Sequence, residues 1–349
     1  MATLRFDKVI ELNGQKLDKH YIQSLSKEQR IDLIDPIFQI LRNNGWIFPD
    51  DLAKVKKSWK ALQAYQPDLT SMELFNNSSL ATDICKHFCH KFYLATERNK
   101  PTLIDNFAND TILRRIIANR LGLDWIDYDG KGPGVNEAFN LSFKMMAIQG
   151  QRSMRLVNST SMFKPSIAKY MALKYSQEDE TILDISAGFG GRMLGAVSCH
   201  RKYIGIDPWT TDELTIMAQE LELPNVELIN SGSENVRLSE NSIDFCYSSP
   251  PYFDQEYYTS DITQAYNQGD DYFYGTYWKQ TLDNVKYMLK PDKWFGLNVL
   301  AKYDRMITMA KEQFGEPIEQ VSLRTIRSHL GKKAGVEKAE YVYMFRNNK

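Results

Sequence analysis

From about residue 160 the chain alternates short apolar runs with helical stretches, and few architectures accommodate that order. Runs at 181–185, 203–206, 226–229, 243–247, 294–299, 319–323 and 341–345 read as strands, most of them separated by a helical segment. Strands joined through helices lie parallel, so residues 161–349 are expected to form an α/β fold with a doubly wound, mostly parallel, seven-stranded Rossmann-like sheet. Residues 1–130 carry a different period and read as a mostly helical N-terminal domain. Ser26 and Gln29 form a capping-box pattern ahead of an apolar stripe at Ile31, Leu33, Ile34, Ile37, Phe38 and Leu41, which stops at Asn44-Gly45. Periodic segments at 52–65, 79–95 and 103–121 follow. The breaker cluster Gly130-Lys131-Gly132-Pro133-Gly134 opens a segment, 131–160, read as a linker.

Within the α/β half, Asp184-Ile185-Ser186-Ala187-Gly188-Phe189-Gly190-Gly191-Arg192 leaves the first strand and enters a helix. Glycines there allow a tight turn and close approach of a ligand, and the helix N-terminus beyond them attracts negative charge. The next strand ends at Asp207, where a carboxylate can accept hydrogen bonds from two ribose hydroxyls. A glycine turn alone is a weak signal and Asp207 could simply cap a helix; together they point to a nucleotide-like cofactor. A nicotinamide dinucleotide would suit the same fingerprint.

The next motif separates those cofactors. The run at 243–247 leads into Ser248-Ser249-Pro250-Pro251-Tyr252-Phe253. Two prolines fix φ and remove two donors, so the turn offers rigid oxygen acceptors that suit a planar NH2 group. The Ser249 hydroxyl and the carbonyls can align an amine and stabilise positive charge developing on its nitrogen. Tyr252 supplies a face on which a base can stack, worth about 1–3 kcal/mol per base. Such an amine is a poor nucleophile, and holding it in line with an electrophile recovers much of the barrier. No carboxylate stands in the tetrapeptide, so the proton is expected to leave to water.

These residues resemble the S-adenosylmethionine-dependent amino-methyltransferases that modify N4 of cytosine or N6 of adenine in DNA. The shared features are Ser249-Pro250-Pro251-Tyr252, the glycine loop from Asp184, and Lys164-Pro165 about twenty residues before that loop; they cover about residues 160–349. The resemblance implies a methyltransferase domain with Ser249, Pro250, Pro251 and Tyr252 as catalytic residues. It implies S-adenosylmethionine held by Lys164, Pro165, Asp184, Ser186, Gly188, Gly190 and Asp207, and Glu234 as the candidate adenine contact. A serine at the first tetrapeptide position resembles the cytosine-N4 branch. The chain departs from the family at Asp184-Ile185-Ser186, where Asp-Pro-Phe is usual, and at Gly232-Ser233-Glu234, where Asp usually follows Gly. The expected activity is DNA cytosine-N4 methylation, with adenine N6, an RNA base or a protein amide as alternatives. A non-catalytic nucleic-acid-binding module on the same scaffold is the alternative of another class. A restriction-system partner is admitted but not identified.

Substrate contacts are expected at Tyr257 and Tyr258, after the tetrapeptide, and at Arg324 and Arg327 in a basic loop with His329, Lys332, Lys333 and Lys338. Arg152 and Arg155 are further phosphate candidates. Tyr266, Tyr272, Phe273, Tyr274, Tyr277 and Trp278 could line a base pocket, though from Trp278 onward core packing is the better reading. A formal net charge of -1 makes any polyanion surface a local patch. Hydrophobic residues at 43% and charged residues at 25% argue against disorder. Cys85, His87, Cys89 and His90 cluster, but a metal site needs ligands from a second segment, so helix packing is the reading and no metal is expected. A charged N-terminus and the lack of any run near 18 apolar residues predict a cytoplasmic protein with no membrane contact.

Overall fold

The computed structural model describes the chain except residues 1–3, 76–77, 98, 124–138, 158–161, 252–255, 262 and 325–339. It divides into two compact units interleaved along the sequence. The larger comprises Leu52–Cys89, Ser161–Gln255 and Thr259–Lys349; the smaller comprises Met1–Asp51, His90–Thr160 and Glu256–Tyr258. Leu52–Cys89 thus belongs with the sheet, not with the rest of the N-terminal segment. The segment expected as a linker carries a π-helical turn, Met145–Gly150, and a short helix, Gln151–Ser153.

The larger unit is built on one sheet of eight described strands: β1 (Glu73–Phe75), β2 (Thr181–Asp184), β3 (Lys202–Ile206), β4 (Val226–Ile229), β5 (Ile243–Ser248), β6 (Leu289–Leu300), β7 (Glu319–Arg324) and β8 (Glu340–Arg346). Their spatial order is β1-β7-β8-β6-β5-β2-β3-β4. Strands β4, β3, β2, β5 and β6 run parallel, β8 is antiparallel to β6 and β7, and β1 pairs parallel with β7. This is the expected doubly wound sheet with one strand added. Three residues are too few to show a period, which is why β1 escapes sequence reading. Strand β6 begins earlier than expected because Pro291 and Asp292, at φ 57°, are absorbed in an irregular register between Leu289 and Trp294.

The helices of this unit are α1 (Leu52–Ala64), α2 (Thr82–Phe88), α3 (Pro165–Tyr175), α4 (Gly191–Val197), α5 (Thr211–Glu220), α6 (Lys279–Met288) and α7 (Asp304–Phe314). Pro165 opens α3 at the position where a missing N–H costs nothing. From β2 the chain winds outward through β3 and β4, then crosses back to β5 on the other side of β2. That reversal is the topological switch point of the sheet, and open α/β sheets bind ligands in the crevice there. No helix among the described residues is long and apolar enough to cross a membrane.

The smaller unit holds helices Lys19–Ser24, Lys27–Asp32, Ile34–Asn44, Leu103–Ala108 and Asp110–Arg120, with two short ladders, Glu11–Leu12 with Gln15–Lys16 and Thr96–Glu97 with Glu256–Tyr257. The Ser26–Gln29 capping box forms, but the helix breaks at Leu33 and leaves Ile31 49% exposed, outside the apolar stripe. The helix expected over 103–121 is two, because the Asn109 side chain accepts from the Ile112 N–H and starts a second one. Trp46 packs edge-on against Tyr93, Phe107 and Phe143 at the centre of this unit.

Lys169 explains why α1 joins the sheet. This buried lysine, on α3, donates to the Leu62 and Gln63 carbonyls at 2.9 and 2.7 Å, where α1 runs out of helical partners. Burial lowers its pKa. Lys169→Met strands the Gln63 carbonyl and leaves the Leu62 carbonyl only the Tyr65 N–H, at 3.2 Å, and is expected to cost about 1–3 kcal/mol. The measurements are the urea midpoint and faster amide exchange across α1; unchanged exchange there would sink this account.

Candidate active site

The loop after β2 and the turn after β5 meet at the switch point. The loop takes its shape from Gly188 and Gly190, at φ 54° and 79°, values that a side chain would make costly. It is anchored from below by Asp184, which is fully buried. Its Oδ2 accepts from Arg192 Nε and the Tyr203 hydroxyl, both at 2.8 Å, and its Oδ1 from Ser248 Oγ at 2.7 Å and the Ser186 N–H at 3.2 Å. A carboxylate has about four acceptor sites, and protein donors engage all of them. Asp184 is therefore a scaffold for the loop, its acceptor sites taken by protein donors.

Arg192, itself buried, completes the anchor by donating also to the Ser186 carbonyl and lying over the Phe163 ring, 5.3 Å from its centroid. Burial alone would lower the arginine pKa, but Asp184 beside it drives the net shift upward. The Lys164-Pro165 segment reaches the same loop, since a Cβ on Gly191 would collide with the Phe163 carbonyl. Lys164 is half-buried at the start of α3 and Pro165 is buried.

Ser186 joins loop to turn. Its hydroxyl lies 2.9 Å from the Ser249 carbonyl, to which it donates, and 2.7 Å from Ser248 Oγ. Ser249 and Pro251 are half-buried and Pro250 is buried. Tyr252, the remaining catalytic candidate, lies outside the described residues.

Two further acids line the carboxyl ends of β3 and β4. Asp207 Oδ1 accepts from the Trp209 and Thr210 N–H groups and Oδ2 from the Gly188 N–H, each at 2.9 Å. It caps the following turn and ties it to the glycine loop, leaving one acceptor site of its four. Burial pushes its carboxyl up, against the pull of those three donors. Glu234 sits on a turn that α6 holds through Asn284, whose amide donates to the Glu234 carbonyl at 2.9 Å. Its Oε1 accepts from the Tyr272 hydroxyl at 3.0 Å and from Asn235 at 3.2 Å, whereas Oε2 is buried with no hydrogen-bond partner among the described residues. The two acids share a neighbour: burial raises the Tyr277 phenol, and both Glu234 and Asp207 raise it further.

The remaining sequence candidates divide between the two units or lie outside the described residues. Tyr257 and Tyr258 belong to the smaller unit, where Tyr257 pairs with Thr96. Arg324 ends β7; Arg327, His329, Lys332, Lys333 and Lys338 lie outside the described residues. Arg152 and Arg155 are in the smaller unit, and burial lowers the Arg152 pKa. Tyr266, Phe273, Tyr277 and Trp278 are buried, with the Trp278 indole donating to the Met306 carbonyl at 3.1 Å. All four cysteines are free and buried, and Cys89 points its thiol at the Phe189 carbonyl, 3.5 Å away.

Sequence reasoning missed Asn298. It stands on β6 one residue past Leu297, the partner of Ser248, and is fully buried. Its amide donates to the Tyr341 carbonyl at 3.1 Å and its Oδ1 has no partner among the described residues. The available signal was a lone amide in the apolar run Trp294-Phe295-Gly296-Leu297-Asn298-Val299-Leu300. The anchor itself is testable: Arg192→Leu leaves the Asp184 charge buried and uncompensated, and should cost about 3–5 kcal/mol in denaturant unfolding. A loss below about 1 kcal/mol, the range of exposed pairs, would remove the ion pair from its role.

No family model matches the sequence, and no curated protein matches it. Among solved structures, the tRNA (m1A58) methyltransferase TrmI from Aquifex aeolicus is 12% identical, over 54% of this chain and 71% of that one, with a TM-score of 0.40. The N-methyltransferase NodS from Bradyrhizobium japonicum WM9 is 16% identical over 53% and 94% of the two chains, with a TM-score of 0.37. The 1,6-didemethyltoxoflavin-N1-methyltransferase from Burkholderia thailandensis is 14% identical over 53% and 78%, with a TM-score of 0.36. Likeness at these scores carries no weight for cofactor or substrate, and the fold rests on the strand order given above.

Proposed function

We propose that the chain transfers a methyl group from S-adenosylmethionine to an exocyclic amino group of a nucleic-acid base, with cytosine N4 in DNA as the leading target. The carrying observation is the Ser186–Ser249 hydrogen bond, which brings a glycine loop and an acceptor turn together at one switch point. A lone glycine loop would suit many nucleotides; a Ser-Pro-Pro turn beside it suits an amine.

The residues fit the cofactor. Gly188 leaves the loop open to it while Gly190 lets the loop pack closely on Leu214 and Met217, Asp207 keeps one acceptor site for a ribose hydroxyl, and Glu234 Oε2, without a donor among the described residues, accepts from an amino group such as that of adenine. A buried carboxylate oxygen without a donor is costly, so a ligand N–H there is favoured. When bound, the cofactor supplies an electrophilic methyl group on a sulfonium. The protein's share is positioning: the carbonyls of the Ser249-Pro250-Pro251 turn orient the amine and stabilise charge growing on its nitrogen. Tyr252 gives the base a stacking face, and water takes the proton.

Incubation with tritiated S-adenosylmethionine and DNA, RNA or protein, followed by nucleoside analysis, is expected to give N4-methylcytosine from DNA. N6-methyladenine would redirect the target, and label confined to protein would reject the nucleic-acid reading. Asp207→Ala should weaken S-adenosylhomocysteine binding by about 10- to 100-fold, the worth of a hydrogen bond to a charged group. Tyr252→Ala should lower turnover while leaving that affinity unchanged; equal loss of binding in both variants contradicts the roles assigned.

A further inference from the structure

The contacts around Ser186 contain a shortage of hydrogens. Three oxygen–oxygen contacts link Asp184 Oδ1, Ser248 Oγ, Ser186 Oγ and the Ser249 carbonyl, at 2.7, 2.7 and 2.9 Å. Each serine brings one hydroxyl hydrogen and the carbonyl brings none. Asp184 is paired with Arg192 and serves as an acceptor only, so the Ser248 hydrogen goes to it. The Ser186 hydrogen then has two acceptors within reach, the Ser249 carbonyl and Ser248 Oγ, and satisfies one at a time.

We infer that Ser186 is a positioning residue working as a two-position hydrogen-bond switch. With the turn empty, its hydroxyl donates to the Ser249 carbonyl and holds the turn on the glycine loop. When an amine N–H occupies that carbonyl, the hydroxyl rotates to Ser248 Oγ, and the number of hydrogen bonds within the trio is conserved. The carbonyl is thus released to the substrate without leaving a buried donor unpaired, a loss that would otherwise oppose binding. Because Ser186 is part of the loop proposed to hold the cofactor, a ligand seated on that loop also turns the hydroxyl from the Ser249 carbonyl toward Ser248 Oγ, which links the loop to the amine site. This inference rests on the methyltransferase reading for its ligands, but not for the hydrogen bond itself.

The sequence provides a selective probe, since Ser249-Pro250 is its one Ser-Pro pair. Protein labelled with carbonyl-13C serine and 15N proline gives a single 13C–15N-coupled carbonyl resonance, that of Ser249. In ligand-free protein this resonance should move upfield in Ser186→Ala and stay near the wild-type position in Ser186→Thr and in Ser248→Ala, which removes the alternative acceptor. Adding S-adenosylhomocysteine, with its binding followed by calorimetry, should move it in wild type and in Ser186→Thr but not in Ser186→Ala. A resonance indifferent to Ser186→Ala, or one that responds equally to the ligand in wild type and Ser186→Ala, overturns the switch. Calorimetric binding without any wild-type response overturns the link between loop and turn. Absence of binding to wild type overturns the cofactor reading instead, and the ligand-free comparison still decides the hydrogen bond.

Discussion

The candidate site depends on a buried carboxylate. Asp184 gathers Tyr203 from β3, Ser248 from β5, Arg192 from α4 and the Ser186 N–H from its own loop. Three adjacent strands are thereby tied together by one charge. An isolated carboxylate in that position would be prohibitively costly, and it persists only because every acceptor site is filled and a guanidinium lies against it. Such a fully satisfied network is rigid, and rigidity is what a reaction limited by positioning requires.

Around this anchor the polar groups divide into those that are spent and those that are not. Asp184 and most of Asp207 are committed to holding backbone in place. Among the described residues, Glu234 Oε2 and Asn298 Oδ1 are buried acceptors without donors, one after β4 and one near the end of β6. The spent groups fix the architecture, while the unspent ones mark where a ligand's N–H groups are favoured.

Much of this was legible in the residues. Seven of the eight strands of the sheet follow from apolar runs, and the two motif loops follow from Gly and Pro, whose backbone preferences act locally. The helix breaks at Leu33 and Asn109 were not, because a helix end depends on whether one side chain caps the next turn or faces solvent. The donors that hold Asp184 and Asp207 were not legible either, for a related reason. A motif names a carboxylate, but only the fold tells which donors reach it first.

The sequence by itself determined the sheet, the loop chemistry and the residue types at the switch point, since all are set by period and backbone propensity over a few neighbouring positions. Only the tertiary structure decided that Leu52–Cys89 joins the sheet unit, through a lysine 107 residues from the Leu62 carbonyl it caps. Only it brought Ser186 within 2.9 Å of a carbonyl 63 residues away, and only it consigned Tyr257 to another unit. Contacts between distant parts of the chain arise from how packed layers meet, and no local preference of the chain records them.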